Sequence, residues 1–304
     1  GAGLVGSHLV RRLSPSADVR VLDDFSTGRR DRVPDGVRIF EGDVRDDGLL
    51  ERALDGVDVV FHTAALVNVD ESVERPVESV GRNCLGTVKL LEHARSTNAR
   101  VVFSSSAAIY GRPDSLPVVE SDRKAPRSPY GVDKRAADRY VRLYDELYGL
   151  ETVSLRYFNV YGPLPEGGVG GGVVSTFVER AARGEDLHVE GDGSQTRDFV
   201  HVDDVVTANL LAATSSVSGR AYNVATGESV TIERLGTMVL DRVPTDSRVV
   251  YDDPRPGDVD ASRADISRIR TELGYEPSVS LDDGLDALVE TAVDESAGER
   301  SGTE

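Results

Sequence analysis

The chain has 304 residues and carries 53 acidic against 35 basic side chains, a net charge of −18. This charge opposes binding to nucleic acid or to an anionic membrane, and no run of basic residues offsets it. The single cysteine, Cys84, excludes an intramolecular disulfide and a thiolate zinc site, so no metal is predicted. No segment resembles a signal peptide or a membrane span, and the acidic, lysine-poor composition is typical of a salt-loving cytoplasm. We therefore expect a cytoplasmic protein.

Apolar runs of strand length alternate with amphipathic segments in the first half of the chain. Strands are predicted at 19–22, 57–62, 101–104 and 152–156, and helices at 7–13 and 79–95. Valine-rich strands separated by helices indicate a parallel sheet that is covered on both faces. We therefore predict an α/β protein with a doubly wound parallel sheet in residues 1–163, to which a segment at 198–226 returns.

The second half of the chain has a different pattern of residue types. Five glycines fall within 167–172, and the apolar patches that follow are short and broken by Gly, Asp and Pro. This pattern predicts a smaller, loop-rich C-terminal lobe in residues 164–304. The tail at 294–304 lacks large apolar side chains to bury, so we expect it to be frayed or disordered.

The first residues form a G-x-G-x-x-G pattern, whose glycines let the backbone approach a pyrophosphate at a helix N-terminus. The predicted cofactor contacts in it are Gly1, Gly3, Leu4, Val5 and Gly6. The pattern alone is equally typical of an ordinary loop. In a dinucleotide-binding fold a strand precedes this loop, and none does here. Either about ten residues of strand and turn are missing from the sequence, or the pattern is not a dinucleotide fingerprint.

An acidic pair, Asp23 and Asp24, follows the strand predicted at 19–22. Asp23 lies near the spacing at which a carboxylate binds both ribose hydroxyls of the adenosine half and repels a 2′-phosphate, which favours NAD over NADP. The alternative is a solvated turn. Other cofactor contacts are predicted where later strands end, at Asp43, Val44, Ala64 and Ala65. His62 is interpreted as structural.

The strongest chemical pattern combines a strand-end serine, Ser106, with Tyr130 and Lys134 in a predicted helix. Tyr and Lys at positions i and i+4 share one helical face. A lysine ammonium beside a phenol favours the phenolate and lowers the tyrosine pKa toward a value useful for proton transfer. Ser106 can hydrogen-bond the same substrate oxygen. A Y-x-x-x-K pattern alone is a common accident, but the preceding motifs favour catalysis.

Together these motifs resemble those of the extended short-chain dehydrogenase/reductase family, in particular its UDP-glucose 4-epimerase-like members. The resemblance covers essentially the whole chain. It rests on the segments 1–10, 21–28, 62–65, 83–87, 103–111, 128–134, 155–163, 191–204 and 255–258. It implies a Rossmann-type fold with a smaller C-terminal substrate-binding lobe, NAD as cofactor and a nucleoside-diphosphate sugar as substrate.

The resemblance also implies roles for single residues. Tyr130 is the base, Lys134 also holds the nicotinamide ribose, and Ser106 contacts the sugar 4-hydroxyl. Asn83 and Tyr157 are implied as further cofactor contacts, with Tyr157 lining the nicotinamide. The implied substrate contacts are Asn159, Arg197, Arg255 and Asp258. Each arginine taken singly could instead form a surface salt bridge. Family members usually form homodimers through the helices that correspond to 77–94 and 130–148.

The sequence also departs from the family pattern. A glycine expected before Gly1 is absent, and Glu190 stands where relatives often carry an aromatic residue near the nucleotide base. Ala107 and Ala108 stand where related dehydratases and decarboxylases have an acid, which favours epimerisation. We therefore predict inversion at C4 of a UDP-hexose through a transient 4-keto intermediate. The alternatives are a keto-sugar reductase of the same fold and a non-catalytic NAD-sensing module.

Overall fold

The structure is a computed structural model that describes residues 1–254 and 259–301, with side chains described as far as Val293. The strands are β1 Arg20–Asp23, β2 Arg38–Glu41, β3 Val59–His62, β4 Arg100–Ser106, β5 Thr152–Tyr157, β6 Asn159–Pro163, β7 Val169–Gly170, β8 Leu187–Glu190, β9 Thr196–Arg197, β10 Phe199–His201, β11 Arg220–Val224, β12 Val230–Thr231 and β13 Val249–Asp252.

The α-helices are α1 Leu4–Leu13, α2 Asp47–Leu54, α3 Val69–Glu74, α4 Pro76–Val80, α5 Gly86–Thr97, α6 Pro129–Tyr148, α7 Gly172–Arg183, α8 Val202–Thr214, α9 Ile232–Leu240, α10 Ser267–Leu273 and α11 Leu281–Ser301. Short 3-10 turns lie at Arg30–Arg32 and Ala107–Ile109. A π-helical turn at Gly81–Leu85 separates α4 from α5. None of the described helices is both long enough and apolar enough to span a membrane.

The central sheet is parallel and has the strand order β11-β5-β4-β3. All of β5 and all but the last residue of β4 are buried, as expected for strands that are covered on both faces. In the register of this sheet, Ser106 at the end of β4 lies beside Tyr157 at the end of β5. The predicted α/β, Rossmann-type fold is thereby confirmed, and the polar ends of neighbouring strands meet at one edge.

A cavity of about 600 Å³ separates the parallel pair β1-β2 from the central sheet. The edges of β1 and β3 line it, α1 and α8 contribute side chains to its wall, and within the described residues neither edge has a strand partner. The Gly1 nitrogen donates to the Leu22 carbonyl of β1 at 3.3 Å.

The C-terminal lobe has a core of its own. Phe177, Leu187, Leu235 and Leu285 are buried together among α7, α9, α11 and the parallel pair β8-β13. Two segments after residue 163 pack with the main core: 198–226, which was predicted to return to the sheet, and part of α10, which was not. The segment 198–226 holds β10, α8 and β11, and β11 pairs with β5. Ile269 and Leu273 of α10 pack into the same core as β5.

Two predicted segments differ from the observed elements. The continuous helix expected at 79–95 is interrupted by the π-helical turn, because the backbone there packs closely on its neighbours. A Cβ on Gly86 would lie 2.6 Å from the Val44 side chain. The tail expected to be frayed continues α11 as far as Ser301, because a formed helix adds residues without needing to bury each of them.

Candidate active site

The glycine loop leaves open space in front of α1. A Cβ built on Gly3 would meet nothing within 4 Å, whereas one on Gly6 would lie 2.5 Å from the Gly1 carbonyl oxygen. Gly6 therefore permits close packing of helix and loop, and Gly3 leaves space for a ligand. Helix α1 has no side-chain cap and no acid in its first turn, so the amides of Leu4 and Val5 are available to an anion. These features fit a dinucleotide pyrophosphate.

The Asp23 carboxylate is bound to the same loop. Its Oδ2 accepts from the Gly1 nitrogen at 2.5 Å and from the Ala2 amide at 2.7 Å, and its Oδ1 accepts from the Phe25 amide at 2.8 Å. Burial opposes ionisation, but the Gly1 amino group and these amides outweigh it and lower the Asp23 pKa. Binding of both ribose hydroxyls by Asp23 stays a prediction.

The other acids predicted at the adenosine half are ion-paired. Asp24 lies 3.1 Å from the Arg82 guanidinium, and Asp43 lies 2.6 Å from Arg45. The hydrogen bonds from Arg45 lower the Asp43 pKa, so the carboxylate stays charged. Val44 is buried in the core beside α2, where it supports the neighbouring loop.

The loop after β3 carries Ala64 and Ala65, and hydrogen bonds with the Asn83 side chain hold it in place. The Asn83 side chain accepts from the Leu66 amide at 2.8 Å and donates to the Leu66 carbonyl at 3.0 Å. Asn83 thus supports the loop through these two hydrogen bonds. His62 is buried, contacts Thr87 at 2.9 Å, and has its pKa lowered by burial to about 3, so it is neutral and structural.

The side chains predicted to be catalytic come from α6 and β4. Ser128 caps α6 by accepting from the Gly131 amide at 3.1 Å, which fixes the helix start just before Tyr130. The Tyr130 hydroxyl hydrogen-bonds Ser106, and the Lys134 ammonium donates to the Ser104 carbonyl at 2.8 Å. Tyr130 and Lys134 are both buried. The structure therefore brings together the three residues predicted to be catalytic.

The electrostatics of these residues differ from the prediction that Lys134 lowers the Tyr130 pKa. Burial raises the Tyr130 pKa, and only the hydrogen bond with Ser106 opposes it. Burial also lowers the Lys134 pKa to about 7, against the attraction of Asp133. The prediction was wrong for this state of the protein, because desolvation penalises both charged forms more than the spacing on the helix reveals.

A buried ion pair holds α6 against the sheet one turn beyond Lys134. Asp138 accepts from Arg156 of β5 in a bidentate pair at 3.0 Å and from the Ser105 hydroxyl at 3.1 Å. Burial opposes ionisation of Asp138, but Arg156 outweighs it and holds the pKa below its usual range. Sequence analysis missed this pair, although position 138 lies four residues after Lys134 and hence on the same face.

Tyr157 was predicted to line the nicotinamide. Its side chain is buried, and its hydroxyl contacts the Ser104 hydroxyl at 3.0 Å and accepts from the Asn209 amide at 2.7 Å. The structure places it beside Ser106 in the sheet, at the same end as the catalytic residues. Contact with the cofactor stays a prediction.

Two of the predicted substrate contacts lie at the ends of short strands, Asn159 at the start of β6 and Arg197 at the end of β9. The Asn159 side chain donates to the Asp198 carbonyl at 2.9 Å, and the Arg197 guanidinium donates to the Val259 carbonyl at 2.6 Å. Sequence analysis did not single out Asp198, whose carboxylate accepts from the Thr226, Gly227 and Ala264 amides. Arg255 and Asp258 lie outside the described residues. Residues 1–254 and 259–301 contain no group of His, Cys, Asp and Glu side chains that could hold a metal ion.

Comparisons with known proteins agree with this geometry. Residues 1–225 match the model of the NAD-dependent epimerase/dehydratase family. The chain is similar to a putative UDP-glucose 4-epimerase from Methanocaldococcus jannaschii, with 37% identity over 95% of each chain.

Two solved structures extend the likeness to the whole fold. A UDP-glucose 4-epimerase from Thermotoga maritima, solved with UDP-glucose, has a TM-score of 0.92 and 36% identity over 100% of this chain and 98% of its own. A UDP-N-acetylglucosamine 4-epimerase from Methanobrevibacter ruminantium has a TM-score of 0.91 and 35% identity over 97% and 96%. The chain belongs to the NAD-dependent epimerase/dehydratase family, with NAD as its cofactor and UDP-glucose 4-epimerases among its relatives.

Proposed function

We propose that the protein is a nucleotide-sugar epimerase that inverts C4 of a UDP-hexose through a transient 4-keto intermediate. The observation that carries the proposal is the buried Tyr130, hydrogen-bonded to Ser106 and one helical turn from Lys134. Ala107 and Ala108 follow directly, so the turn after β4 offers no acid for dehydration or decarboxylation. The proton chemistry is thereby limited to removal and return at a single oxygen.

In this mechanism, Tyr130 acts as a phenolate that takes the proton from the sugar 4-hydroxyl, and Ser106 hydrogen-bonds the same oxygen. NAD, which the glycine loop and Asp23 would hold, would supply the hydride acceptor and donor for C4. The keto sugar turns over in between, so that hydride would return to the opposite face of C4, and Tyr130 gives its proton back to the 4-oxygen. No net redox change results. Lys134, held by the Ser104 carbonyl, keeps a positive charge near Tyr130 when it is protonated.

Rotation of the sugar requires that the rest of the substrate stay fixed. Asn159 and Arg197 lie at the junction of the lobes, where they are suited to bind the diphosphate. The carboxylate of Asp198 holds the turn at Thr226 and Gly227 beside them. Binding energy from these remote groups then positions the sugar without restricting it.

The test is incubation of the purified protein with UDP-galactose or UDP-glucose at high salt, with both sugars followed by chromatography. We expect interconversion without added NAD, and loss of it in Tyr130→Phe. Tyr140→Phe is the matched control, because Tyr140 lies on the same helix but is 41% exposed. UDP-N-acetyl sugars are included because one relative carries such a substrate in its name.

Failure of every UDP-, GDP- and dTDP-hexose to interconvert, even with NAD supplied, would overturn the proposal. Stoichiometric formation of free NADH or NAD would instead support the keto-sugar reductase. Binding of NAD without turnover of any of these sugars would support the sensing module.

We also propose that the protein forms a homodimer through α4, the π-helical turn and α6. The exposed apolar residues there include Val77 at 82%, Leu147 at 61% and Val132 at 53% exposure, and exposed apolar patches commonly mark interfaces. Light scattering should give twice the chain mass, and Val77→Asp with Leu147→Asp should give a monomer. Tyr251→Asp, on exposed β13, is the control. A monomeric parent protein would refute the dimer.

The acidic composition of the chain also supports the proposal that the protein works in a salt-rich cytoplasm.

A further inference from the structure

Five side chains of alternating charge connect the two acids that were predicted to meet the adenosine half of the cofactor. In order they are Asp24, Arg82, Glu78, Arg45 and Asp43. The closest contacts are 3.1 Å from Asp24 to Arg82, 2.5 Å from Arg82 to Glu78, 3.1 Å from Glu78 to Arg45 and 2.6 Å from Arg45 to Asp43. We call this set the charge chain. It joins the loop after β1, the loop after β2, α4 and the π-helical turn.

Within the charge chain, Arg82 pairs with Asp24, which directly follows Asp23, the carboxylate predicted to bind the ribose. Asp24 directly follows Asp23, and the Arg82 Nη1 also donates to the Ser26 hydroxyl at 3.1 Å. The Arg82 guanidinium therefore contacts the residue that directly follows Asp23 in the sequence. Arg82 remains 27% exposed, and Asp24 31%, so a ligand can reach both from solvent.

The Arg82 guanidinium is suited to bind a phosphate, but the carboxylates of Asp24 and Glu78 already balance its charge. Nε is used by Glu78, and Nη1 by Asp24 and Ser26. Nη2 makes no hydrogen bond among the residues that the structure describes. A phosphate on the ribose 2′-oxygen would have to displace Asp24 or lie beside its negative charge, whereas an unmodified hydroxyl would not.

We propose that Arg82 is a masked 2′-phosphate receptor, and that Asp24, by pairing with it, excludes NADP and makes the protein specific for NAD. Asp23 alone disfavours the phosphate by repulsion. Asp24 adds a second effect, because it removes the cation that would otherwise attract the phosphate. This inference rests on NAD occupying the glycine loop and is independent of the sugar that is turned over.

Other arginines of the same region are weaker candidates. Arg29 pairs with Asp31, and Arg30 pairs with Glu41 and lies over the Phe25 ring. Both are more than half exposed, at 55% and 58%. A solvated guanidinium gains less from a phosphate, because water and salt screen the pair.

The experiment measures binding of ADP and of 2′,5′-ADP to the full chain by calorimetry, so that the 2′-phosphate is the only difference between the probes. We expect Asp24→Asn to tighten 2′,5′-ADP by about tenfold while ADP changes far less. The double variant Asp24→Asn with Arg82→Gln should lose that gain. Asp31→Asn, which removes one negative charge from the same loop without touching Arg82, is the matched control and should change the preference less than about twofold.

Three results would overturn the proposal. Asp24→Asn could leave the preference unchanged, the double variant could keep the gain, or Asp31→Asn could produce an equal gain. The second would mean simple relief of repulsion, and the third a general charge effect. Should Asp24→Asn fail to fold, Glu78→Gln releases Arg82 from its other partner and should tighten 2′,5′-ADP by a smaller factor. No change in that variant would also refute the masked receptor. Sugar epimerisation is read separately, so its failure would not be confused with this one.

Discussion

The catalytic helix and the junction between the lobes hold their functional groups in different ways. On α6, Tyr130 and Lys134 are buried and hydrogen-bond Ser106 and Ser104 of β4, while Asp138 on the next turn accepts from Ser105 between them. At the junction, Asn159 and Arg197 are half-buried and donate to main-chain carbonyls of other segments. The groups proposed to move protons are thus fixed by packed secondary structure. The groups that would bind substrate lie at the ends of the short strands β6 and β9 and are held through main-chain carbonyls instead.

The comparison is tested most strongly by removing the proton carrier. Tyr130→Phe should lower kcat by about 10³-fold, since general acid–base catalysis contributes about 10² to 10⁴. Binding of UDP, measured by calorimetry, should change little. A variant that kept a tenth of the parent rate would show that another group carries the proton.

The second test removes the ion pair that holds the catalytic helix. Asp138→Asn should lower the free energy of unfolding by about 3–5 kcal/mol, because it leaves the Arg156 charge buried without its partner. Arg139→Gln on the same helix is the control. Arg139 pairs with Glu146 with both side chains about half exposed, so its loss should cost less than about 1 kcal/mol. Urea unfolding measures both, and equal losses would contradict the distinction.

The third test addresses the junction. Asn159→Ala should raise KM for the nucleotide sugar by about tenfold, the loss of one hydrogen bond to a charged group, and change kcat by less than about threefold. The reason is that Asn159 would bind the substrate equally in its ground and transition states. Steady-state kinetics separates the two quantities. A fall in kcat with unchanged KM would assign Asn159 to the catalytic half instead.

The smallest effect concerns the buried lysine. Lys134 has a folded-state pKa of about 7 against an ordinary value of 10.5. Between these two pH values the unfolded chain binds the extra proton, so stability should rise with pH by at most about 1.4 kcal/mol per unit. Lys134→Met should reduce this slope relative to the parent protein. Urea unfolding of the cofactor-free proteins at several pH values measures it, and identical slopes would mean that Lys134 stays protonated in the fold.

The same contrast explains what the sequence could predict. The glycine loop, Asp23 and the spacing from Tyr130 to Lys134 are local patterns, and they indicated the fold class and the catalytic set. Asp198 could not be found in this way, because its partners at Thr226 and Ala264 are far along the chain and are main-chain amides.

The charge interactions were the other feature that was predicted wrongly from the sequence. The predicted effect of Lys134 on Tyr130 considered proximity only, whereas burial decides both pKa values. The ion pairs of Asp24 and Asp43 with Arg82 and Arg45 were also missed. Periodicity shows which face of an element is buried, but not which charges meet across that face.

The most direct test of the account follows deuterium placed at C4 of UDP-galactose. The proposed mechanism removes the C4 hydride and returns it to the same carbon within one binding event, so UDP-glucose should keep the deuterium at C4 and no free NADH should form. Loss of the label to solvent, or its transfer to NADH in solution, would contradict transient oxidation at C4 and would remove the proposed role of Tyr130 as the group that takes and returns a single proton.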